Sequence, residues 1–134
     1  MECTINQDAA SYCTWIKTPD AWGGPIELTI LAKHFGVRIN AYDIRTQRKD
    51  CYGGADDGVN AAVATGGTCY VVYDGIHYDA LALAASSSSS EDGDITVVLP
   101  GSEEEALMEE QASKYIGYLN STRYVKRARS SVCL

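Results

Sequence analysis

The sequence predicts an α/β (α+β) domain in which a small central sheet is flanked by helices. Apolar residues at helical spacing follow Pro25, and an alternating segment, 37–42, comes directly after them. Further along, Asp74-Gly75 separates two strand-like runs, a pattern typical of a β-hairpin. With 134 residues, 46% of them hydrophobic, the chain can fill one core but is too short for two ordinary domains.

The net charge and the cysteines of the chain limit which binding partners and which metal or disulfide sites it can have. A net charge of −7 argues against nucleic acid, because phosphate binding needs a basic surface. No apolar run approaches membrane-spanning length, so we expect no membrane partner. The five cysteines are irregularly spaced and include no Cys-x-x-Cys pair, which argues against a disulfide framework and a zinc site. We expect reduced thiols, a cytoplasmic or also nuclear location, and no metal or other cofactor.

The first helix is predicted from Ala9 to Ile16, with Asp8 as its N-cap and Pro19 beyond its end. Its apolar face holds residues at helical spacing: Ala9, Tyr12, Cys13 and Ile16. Cys13 is a thiol close to a helix start and therefore a candidate nucleophile. Its place on the apolar face beside Trp15 favours a core position instead.

The second helix is the clearest element of the sequence. It follows the turn Trp22-Gly23-Gly24, begins at Pro25 and stops at Gly36. One stripe at i, i+3, i+4 and i+7 is predicted to be buried: Leu28, Leu31, Ala32 and Phe35. His34 lies at the edge of this stripe, where a solvated or capping role is favoured over catalysis.

A strand, 37–42, is predicted directly after this helix, and a polar, glycine-rich loop, 43–67, follows it. A short strand is expected within the loop near residues 50–53. Asp56-Asp57 suggests calcium, but the ligand spacing of an EF-hand and its closing Glu are missing. A solvated loop is therefore the favoured interpretation of this segment.

The hairpin is predicted to run from Thr68 to Leu83, with His77 opening its second strand. On an extended strand, His77 and Asp79 leave the same face, because they are two residues apart. A carboxylate beside an imidazole fixes the tautomer of the ring, which is half of a catalytic triad. From spacing alone, a structural strand histidine is favoured over a catalytic one.

The C-terminal part is predicted to contain a flexible Ser-rich and acidic linker and then a helix. An edge strand is expected within 95–99, and Ser102 with Glu105 forms a capping box. The helix carries one apolar side, which predicts that it docks: Met108, Ala112, Tyr115, Ile116 and Leu119. The basic segment 123–129 is interpreted as a frayed end rather than a nucleic-acid patch. The chain is therefore predicted to divide into a domain at 1–85, the Ser-rich and acidic linker at 86–101, and the C-terminal helix with its basic tail at 102–134.

Several motifs occur in an order that resembles the OTU family of cysteine deubiquitinases. They are Tyr12-Cys-x-Trp-Ile, Trp22-Gly-Gly-x-Ile-Glu-Leu, Leu31-Ala, a strand ending Tyr42-Asp, and Tyr73-Asp-Gly-Ile-His-Tyr-Asp. The first of them is similar to the OTU1 branch in particular. The resemblance covers roughly residues 8–84, and motifs of different chemistry agree in order and spacing.

The resemblance implies a papain-like α/β domain that removes ubiquitin by thiol attack on an isopeptide bond. His77 would be the general base, and Asp79 a residue that orients it. The loop that carries the histidine would contact substrate through Tyr73, Asp74, Gly75 and Ile76, with 45–56 as a variable loop beside the ubiquitin site. The implied partners are ubiquitin or polyubiquitin and adaptor proteins of protein quality control.

The sequence departs from the family pattern at the nucleophile. The family's cysteine belongs to an Asp-Gly-x-Cys segment, which these 134 residues lack, and Cys13 matches a non-catalytic family cysteine. The C-terminal segment resembles the one that leads into the zinc finger of OTU1 proteins. We therefore expect a chain truncated at both ends, inactive and marginally stable alone, with apolar surface exposed on the elements of Leu28 and Val71. The alternative is a catalytically inactive ubiquitin-binding or adaptor module.

Overall fold

The computed structural model describes residues 8–54, 66–84 and 93–130, with the backbone alone described from 123 to 130. Its elements in chain order are α1 (Ala9–Trp15), α2 (Pro25–Phe35), β1 (Arg38–Asp43), β2 (Lys49–Tyr52), β3 (Thr68–Tyr73), β4 (Tyr78–Leu81), β5 (Val97–Val98) and α3 (Glu103–Ser130). The predicted α/β class is confirmed. The interpretations of 55–65 as a loop and of the serine run 86–90 as a linker lie outside the described residues.

The strands form one mixed sheet in the order β2-β1-β3-β4, and β5 pairs with the first residues of β3. β1 and β3 run parallel, with Asp43 opposite Tyr73, whereas the other pairs are antiparallel. Since parallel strands end at the same edge of a sheet, the turns that follow Asp43 and Tyr73 are neighbours. This edge carries the candidate site.

The core lies between one face of the sheet and α3. On the sheet it contains Tyr42, Tyr70, Val72, Leu83 and Val98, and on α3 it contains Met108, Ala112 and Ile116. The rings of Tyr42 and Tyr70 stack within it at a centroid distance of 6.4 Å. The predicted docking of the C-terminal helix is confirmed for most of its apolar side, because Met108, Ala112 and Ile116 are buried there. Tyr115, predicted on the same side, is 47% exposed.

α2 has the predicted bounds, but the prediction of a fully buried stripe is wrong. Only Ala32, 1% exposed, is buried on this helix. Leu28 is half-buried, while Leu31 and Phe35 are exposed, Phe35 by 65%. Ala32 is covered because the C-terminal end of α2 meets the sheet, and Gly53 approaches the Ala32 side chain there. The periodicity identified an apolar face but not the element that covers it.

α1 begins where predicted, with Asp8 accepting a hydrogen bond from the Ser11 backbone N–H at 3.0 Å. The helix buries no residue, and the Cys13 thiol is exposed. The prediction that Cys13 belongs to the core is therefore wrong. With only seven residues and no core contact, α1 is held by polar contacts, chiefly a hydrogen bond from the Tyr12 hydroxyl to the Glu27 carboxylate.

The C-terminal part contains the expected edge strand, β5, and the expected cap. Ser102 accepts a hydrogen bond from the Glu105 N–H at 3.2 Å, while the Glu105 carboxylate accepts one from the Gly101 N–H at 2.6 Å. The helical backbone continues to Ser130, so the basic segment predicted to fray is helical. Within the described ranges, no helix combines the length and hydropathy of a membrane span.

Candidate functional site

Two turns meet at the edge of the sheet where β1 and β3 end. One is Trp22-Gly23-Gly24, which leads into α2, and the other is 74–77, which joins β3 to β4. The indole of Trp22 lies against the imidazole of His77, with ring centroids 4.7 Å apart. A cavity of about 270 Å³ opens beside this ring pair, lined also by Glu27, Leu28 and Ile76.

The turn that carries His77 is closed by the side chain of Asp74. Its Oδ1 accepts hydrogen bonds from the backbone N–H groups of Ile76 and His77, each at 2.7 Å. The Asp74 N–H in turn donates to the His77 carbonyl oxygen at 3.2 Å. Gly75 has φ +106°, a conformation that favours glycine. These contacts fix the backbone on both sides of the turn and leave the His77 side chain exposed.

Tyr73, the last residue of β3, also stabilises the turn that carries His77. Its hydroxyl donates to the Gly75 carbonyl oxygen at 2.8 Å, and its ring stacks on Tyr78 at a centroid distance of 4.6 Å. The Arg45 guanidinium lies 5.9 Å from the centroid of the Tyr73 ring and approaches Gly75. The end of β1 and the end of β3 are thereby joined by side chains as well as by strand pairing.

The turn that carries Trp22 is held by Glu27. This carboxylate accepts a hydrogen bond from the Gly24 N–H at 2.6 Å and another from the Tyr12 hydroxyl of α1. From the sequence, Glu27 is an acidic residue in the first turn of a helix, a position that complements the helix dipole. Its link to Tyr12 is a long-range contact for which the sequence carried no signal. Glu27 therefore connects α1 to the residues that face His77.

Asp79 and His77 are not joined in the structure. β4 begins at Tyr78, so the prediction that the histidine opens the second strand is wrong, and His77 belongs to the turn. Asp79 lies within β4 opposite Val72 and is exposed. In the described part of the chain no hydrogen bond or ion pair connects the two side chains. The backbone hydrogen bond between Asp74 and His77 keeps the histidine in the turn.

The remaining predicted site residues cluster around the turn. Tyr73, Asp74 and Gly75 are half-buried and shape the turn, while Ile76 is 63% exposed and lines the cavity. Their role in substrate binding stays a prediction. The structure adds Trp22 and Glu27, which the sequence had not assigned to the site, and it brings Arg45, from the predicted variable loop, against Gly75.

The thiols of the described residues belong to other elements than the turn that carries His77. Cys13 is on α1, Cys51 is in β2, and Cys69 is near the start of β3, whereas His77 follows the end of that strand. Burial raises the pKa of the Cys69 thiol, which favours its unreactive protonated form. None of these three thiols is hydrogen-bonded to His77. Among residues 8–54, 66–84 and 93–130, no three metal-binding side chains cluster as a metal site would need.

Comparison with known proteins identifies the family. No protein-family model matches the chain. Ubiquitin thioesterase OTU1 of Dictyostelium discoideum is 44% identical over 95 residues, which are 71% of this chain and 27% of that protein. OVARIAN TUMOR DOMAIN-containing deubiquitinating enzyme 2 of Arabidopsis thaliana is 46% identical over 86 residues, 64% of this chain and 38% of that protein. Human ubiquitin thioesterase OTU1 is 40% identical over 80 residues, 60% of this chain and 21% of that protein.

The chain therefore spans well under half the length of these relatives. Among solved structures, an ovarian tumor (OTU) domain in complex with ubiquitin superimposes with a TM-score of 0.63. The superposition covers 85% of this chain and 57% of that one at 24% identity, which establishes the likeness of fold. Sequence and fold agree, and the chain belongs to the OTU family, in its OTU1 branch.

Proposed function

We propose that this chain carries the general base of a thiol-dependent ubiquitin hydrolase, an enzyme that cleaves isopeptide bonds of ubiquitin conjugates. The observation that carries the proposal is an exposed imidazole, His77, held in a closed turn beside Trp22 and an open cavity. The names of the relatives support it, since they are ubiquitin thioesterases and a deubiquitinating enzyme. The partner we propose is ubiquitin or polyubiquitin.

In the proposed reaction, the imidazole of His77 takes the proton of a cysteine thiol as the sulfur attacks the isopeptide carbonyl carbon. The imidazolium then returns the proton to the departing lysine amine, and water hydrolyses the thioester. Ile76 lines the cavity where the ubiquitin tail would lie, and Tyr73, Asp74 and Gly75 are proposed to contact the substrate from the turn beside it. Asp79 is proposed to orient His77, which requires its carboxylate to approach the ring when the site is complete.

The nucleophile is proposed to come from residues outside these 134, because the sequence holds no Asp-Gly-x-Cys segment. An imidazole without a thiol does not perform acyl transfer, so we expect the chain alone to be inactive. The half-exposed α2 face supports this proposal, since a segment that brought the cysteine to His77 would pass the apolar surface of Leu31 and Trp22. A cytoplasmic or nuclear setting suits the free thiols of Cys13 and Cys51.

The lack of an Asp-Gly-x-Cys segment also favours a second candidate function, a ubiquitin-binding or adaptor module on the OTU scaffold. Such a module would keep the surface around Ile76 and Trp22 for binding and would not use the base. Adaptor proteins of protein quality control would then be further partners. The two functions differ in whether His77 matters for anything other than binding.

A chimera separates the two functions. The segment of the Dictyostelium relative that precedes its aligned region is fused to the N-terminus of this chain, and cleavage of diubiquitin is measured. We expect hydrolysis that His77→Gln abolishes, because glutamine cannot take the proton of the thiol. The matched control is His34→Gln, which changes the other histidine of the chain, exposed on α2, and should leave the rate unchanged.

Titration of ¹⁵N-labelled ubiquitin with the unmodified chain completes the test. Binding without hydrolysis by the folded chimera would support the adaptor function and contradict the hydrolase. Hydrolysis by the chimera that survives His77→Gln would contradict the assignment of the base. Robust cleavage by the 134-residue chain itself would contradict the proposal that the nucleophile lies elsewhere.

A further inference from the structure

α3 reaches the turn that follows β1 through the side chain of Asn120. Its Nδ2 donates hydrogen bonds to two consecutive backbone carbonyl oxygens, that of Ile44 at 2.8 Å and that of Arg45 at 3.1 Å. A carboxamide has two N–H donors, so one side chain can hold both peptide groups at once. Ile44 is buried in the core beside α3. The helix thus fixes the backbone from which the Arg45 side chain leaves.

That backbone is in direct contact with the turn that carries His77. The Ile44 N–H donates to the Tyr73 carbonyl oxygen at 3.0 Å. The Arg45 guanidinium lies over the Tyr73 ring, and its Cζ is 3.2 Å from where a Cβ on Gly75 would stand. The missing side chain of Gly75 leaves the space that the guanidinium occupies. Tyr73 and Gly75 flank Asp74, whose carboxylate closes the turn.

From these contacts we propose that Asn120 is a positioning residue for His77. By holding the backbone of Ile44 and Arg45, it keeps the guanidinium against Gly75, and this contact keeps the imidazole against Trp22. The importance of Asn120 for catalysis rests on the proposed function of His77. The mechanical coupling between Asn120 and the His77 turn does not depend on that function. In this proposal α3 helps to present the base in addition to covering the sheet.

A purely structural role for Asn120 makes a different prediction. If its carboxamide only anchors α3, its removal lowers stability and leaves the His77 turn unchanged in the molecules that stay folded. If Asn120 positions the turn, the folded molecules themselves differ at His77. The test therefore needs a signal from the His77 ring and its neighbouring amides, because a chain of contacts alone does not prove coupling.

The signal is available in the 134-residue chain by NMR. The Trp22 ring lies 4.7 Å from the His77 ring and should shift its resonances, and the hydrogen bonds to Asp74 should slow exchange of the Ile76 and His77 amides. In Asn120→Ala we expect the His77 ring resonances to move toward those of a mobile histidine and both amides to exchange several-fold faster. The matched control is Ser121→Ala, whose hydroxyl donates within α3 to the Tyr118 carbonyl at 2.8 Å. It should change neither signal.

Arg45→Ala tests the same path without touching α3. We expect it to reproduce the change at His77, and we expect Asn120→Ala to add nothing in the Arg45→Ala background. Asn120→Gln keeps the N–H donors and should recover part of the wild-type signal. If Asn120→Ala does not fold, Arg45→Ala decides. Unchanged His77 signals in a folded Asn120→Ala or Arg45→Ala protein would overturn the proposal.

The outcome is separate from that of the hydrolase proposal. Suppose that the chimera fails to cleave diubiquitin but Asn120→Ala still moves the His77 resonances. The coupling between Asn120 and His77 would then stand, but it would have no role in catalysis. A chimera that cleaves through His77, combined with unchanged His77 resonances in Asn120→Ala, would overturn the coupling alone.

Discussion

The indole of Trp22 and the imidazole of His77 lie 4.7 Å apart with their ring planes tilted by 45°. The two residues are far apart in sequence and come from different turns, one leading into α2 and the other joining β3 to β4. Because Trp22 is 56% exposed, the contact contributes little to the core. Its effect is to limit the orientations of the histidine ring while one side of the ring stays open to the cavity.

Trp22→Ala should therefore release the His77 ring with little loss of stability. We expect the His77 ring resonances to lose their ring-current shift, and the free energy of unfolding to fall by less than about 1 kcal/mol, since the side chain is half in solvent. NMR and urea denaturation measure the two effects. Trp15→Ala is the matched control, because Trp15 is similarly exposed and its ring contact is with Tyr12. A His77 spectrum unchanged by Trp22→Ala would contradict the packing.

The hydrogen bond between Tyr12 and Glu27 should hold α1 in place. Tyr12→Phe removes the hydroxyl that donates to the carboxylate, and a hydrogen bond to a charged group contributes roughly 1.5–3 kcal/mol. Because α1 buries no residue, we expect it to detach locally, and Lys17 just after it should be cleaved faster by trypsin. Limited proteolysis followed by mass spectrometry detects the cut. Tyr118→Phe, at an exposed position on α3, is the control.

Gly53 should tolerate no side chain. Its φ is +76°, and a Cβ there would lie 2.6 Å from the Val37 carbonyl oxygen and 2.7 Å from the Ala32 Cβ. Gly101 offers a matched control, because its φ is +75° and a Cβ would meet nothing within 4 Å. Gly101→Ala should lower the unfolding free energy by about 1–2 kcal/mol through backbone strain alone.

For Gly53→Ala we expect a clearly larger loss than for Gly101→Ala, because atoms of α2 and of the strand entry must also move apart. Urea denaturation of both variants gives the comparison. Equal losses in the two variants would show that α2 and the end of β2 are not packed as closely as described.

The buried tyrosines should weaken the fold at alkaline pH. Burial raises the pKa of Tyr70, with the nearby Glu109 and Glu105 charges adding to it, and burial also raises the pKa of Tyr42. The unfolded chain loses the phenol proton near the ordinary value of 10.0 while the folded chain still keeps it. Stability is therefore fully present below this value and falls as the pH rises above it.

The measurement is the urea midpoint at about pH 8 and about pH 11. Tyr70→Phe should show a smaller alkaline loss than the wild type, because it removes one of the groups that titrate. The loss for each protein is taken relative to its own midpoint at the lower pH, because the Tyr70 hydroxyl donates to Glu109 at 3.4 Å and also interacts with the buried Asn40 side chain. An identical alkaline loss in Tyr70→Phe and wild type would contradict the assignment of the effect to this residue.

Local patterns in the sequence predicted where most elements begin and end. Asp8 caps α1, Pro25 and Gly36 bound α2, and Ser102 caps α3, as expected from residues that act on their immediate neighbours. The apolar side of α3 was predicted correctly at Met108, Ala112 and Ile116, which are buried at a period of 3.6, but not at Tyr115, which is exposed. The second strand of the hairpin was predicted too long, from His77 to Leu83. It runs from Tyr78 to Leu81, and the Asp74 turn includes His77.

The tertiary structure alone decided what each face meets and which turns come together. Periodicity marks an apolar stripe without naming its cover, so Cys13 and Phe35 are exposed although their spacing suggested burial. The parallel pairing of β1 with β3 brings Arg45 to Gly75, and the packing of α3 brings Asn120 to Arg45. Contacts between residues so distant in sequence depend on how the elements pack, and the local propensities of the residues do not predict that packing.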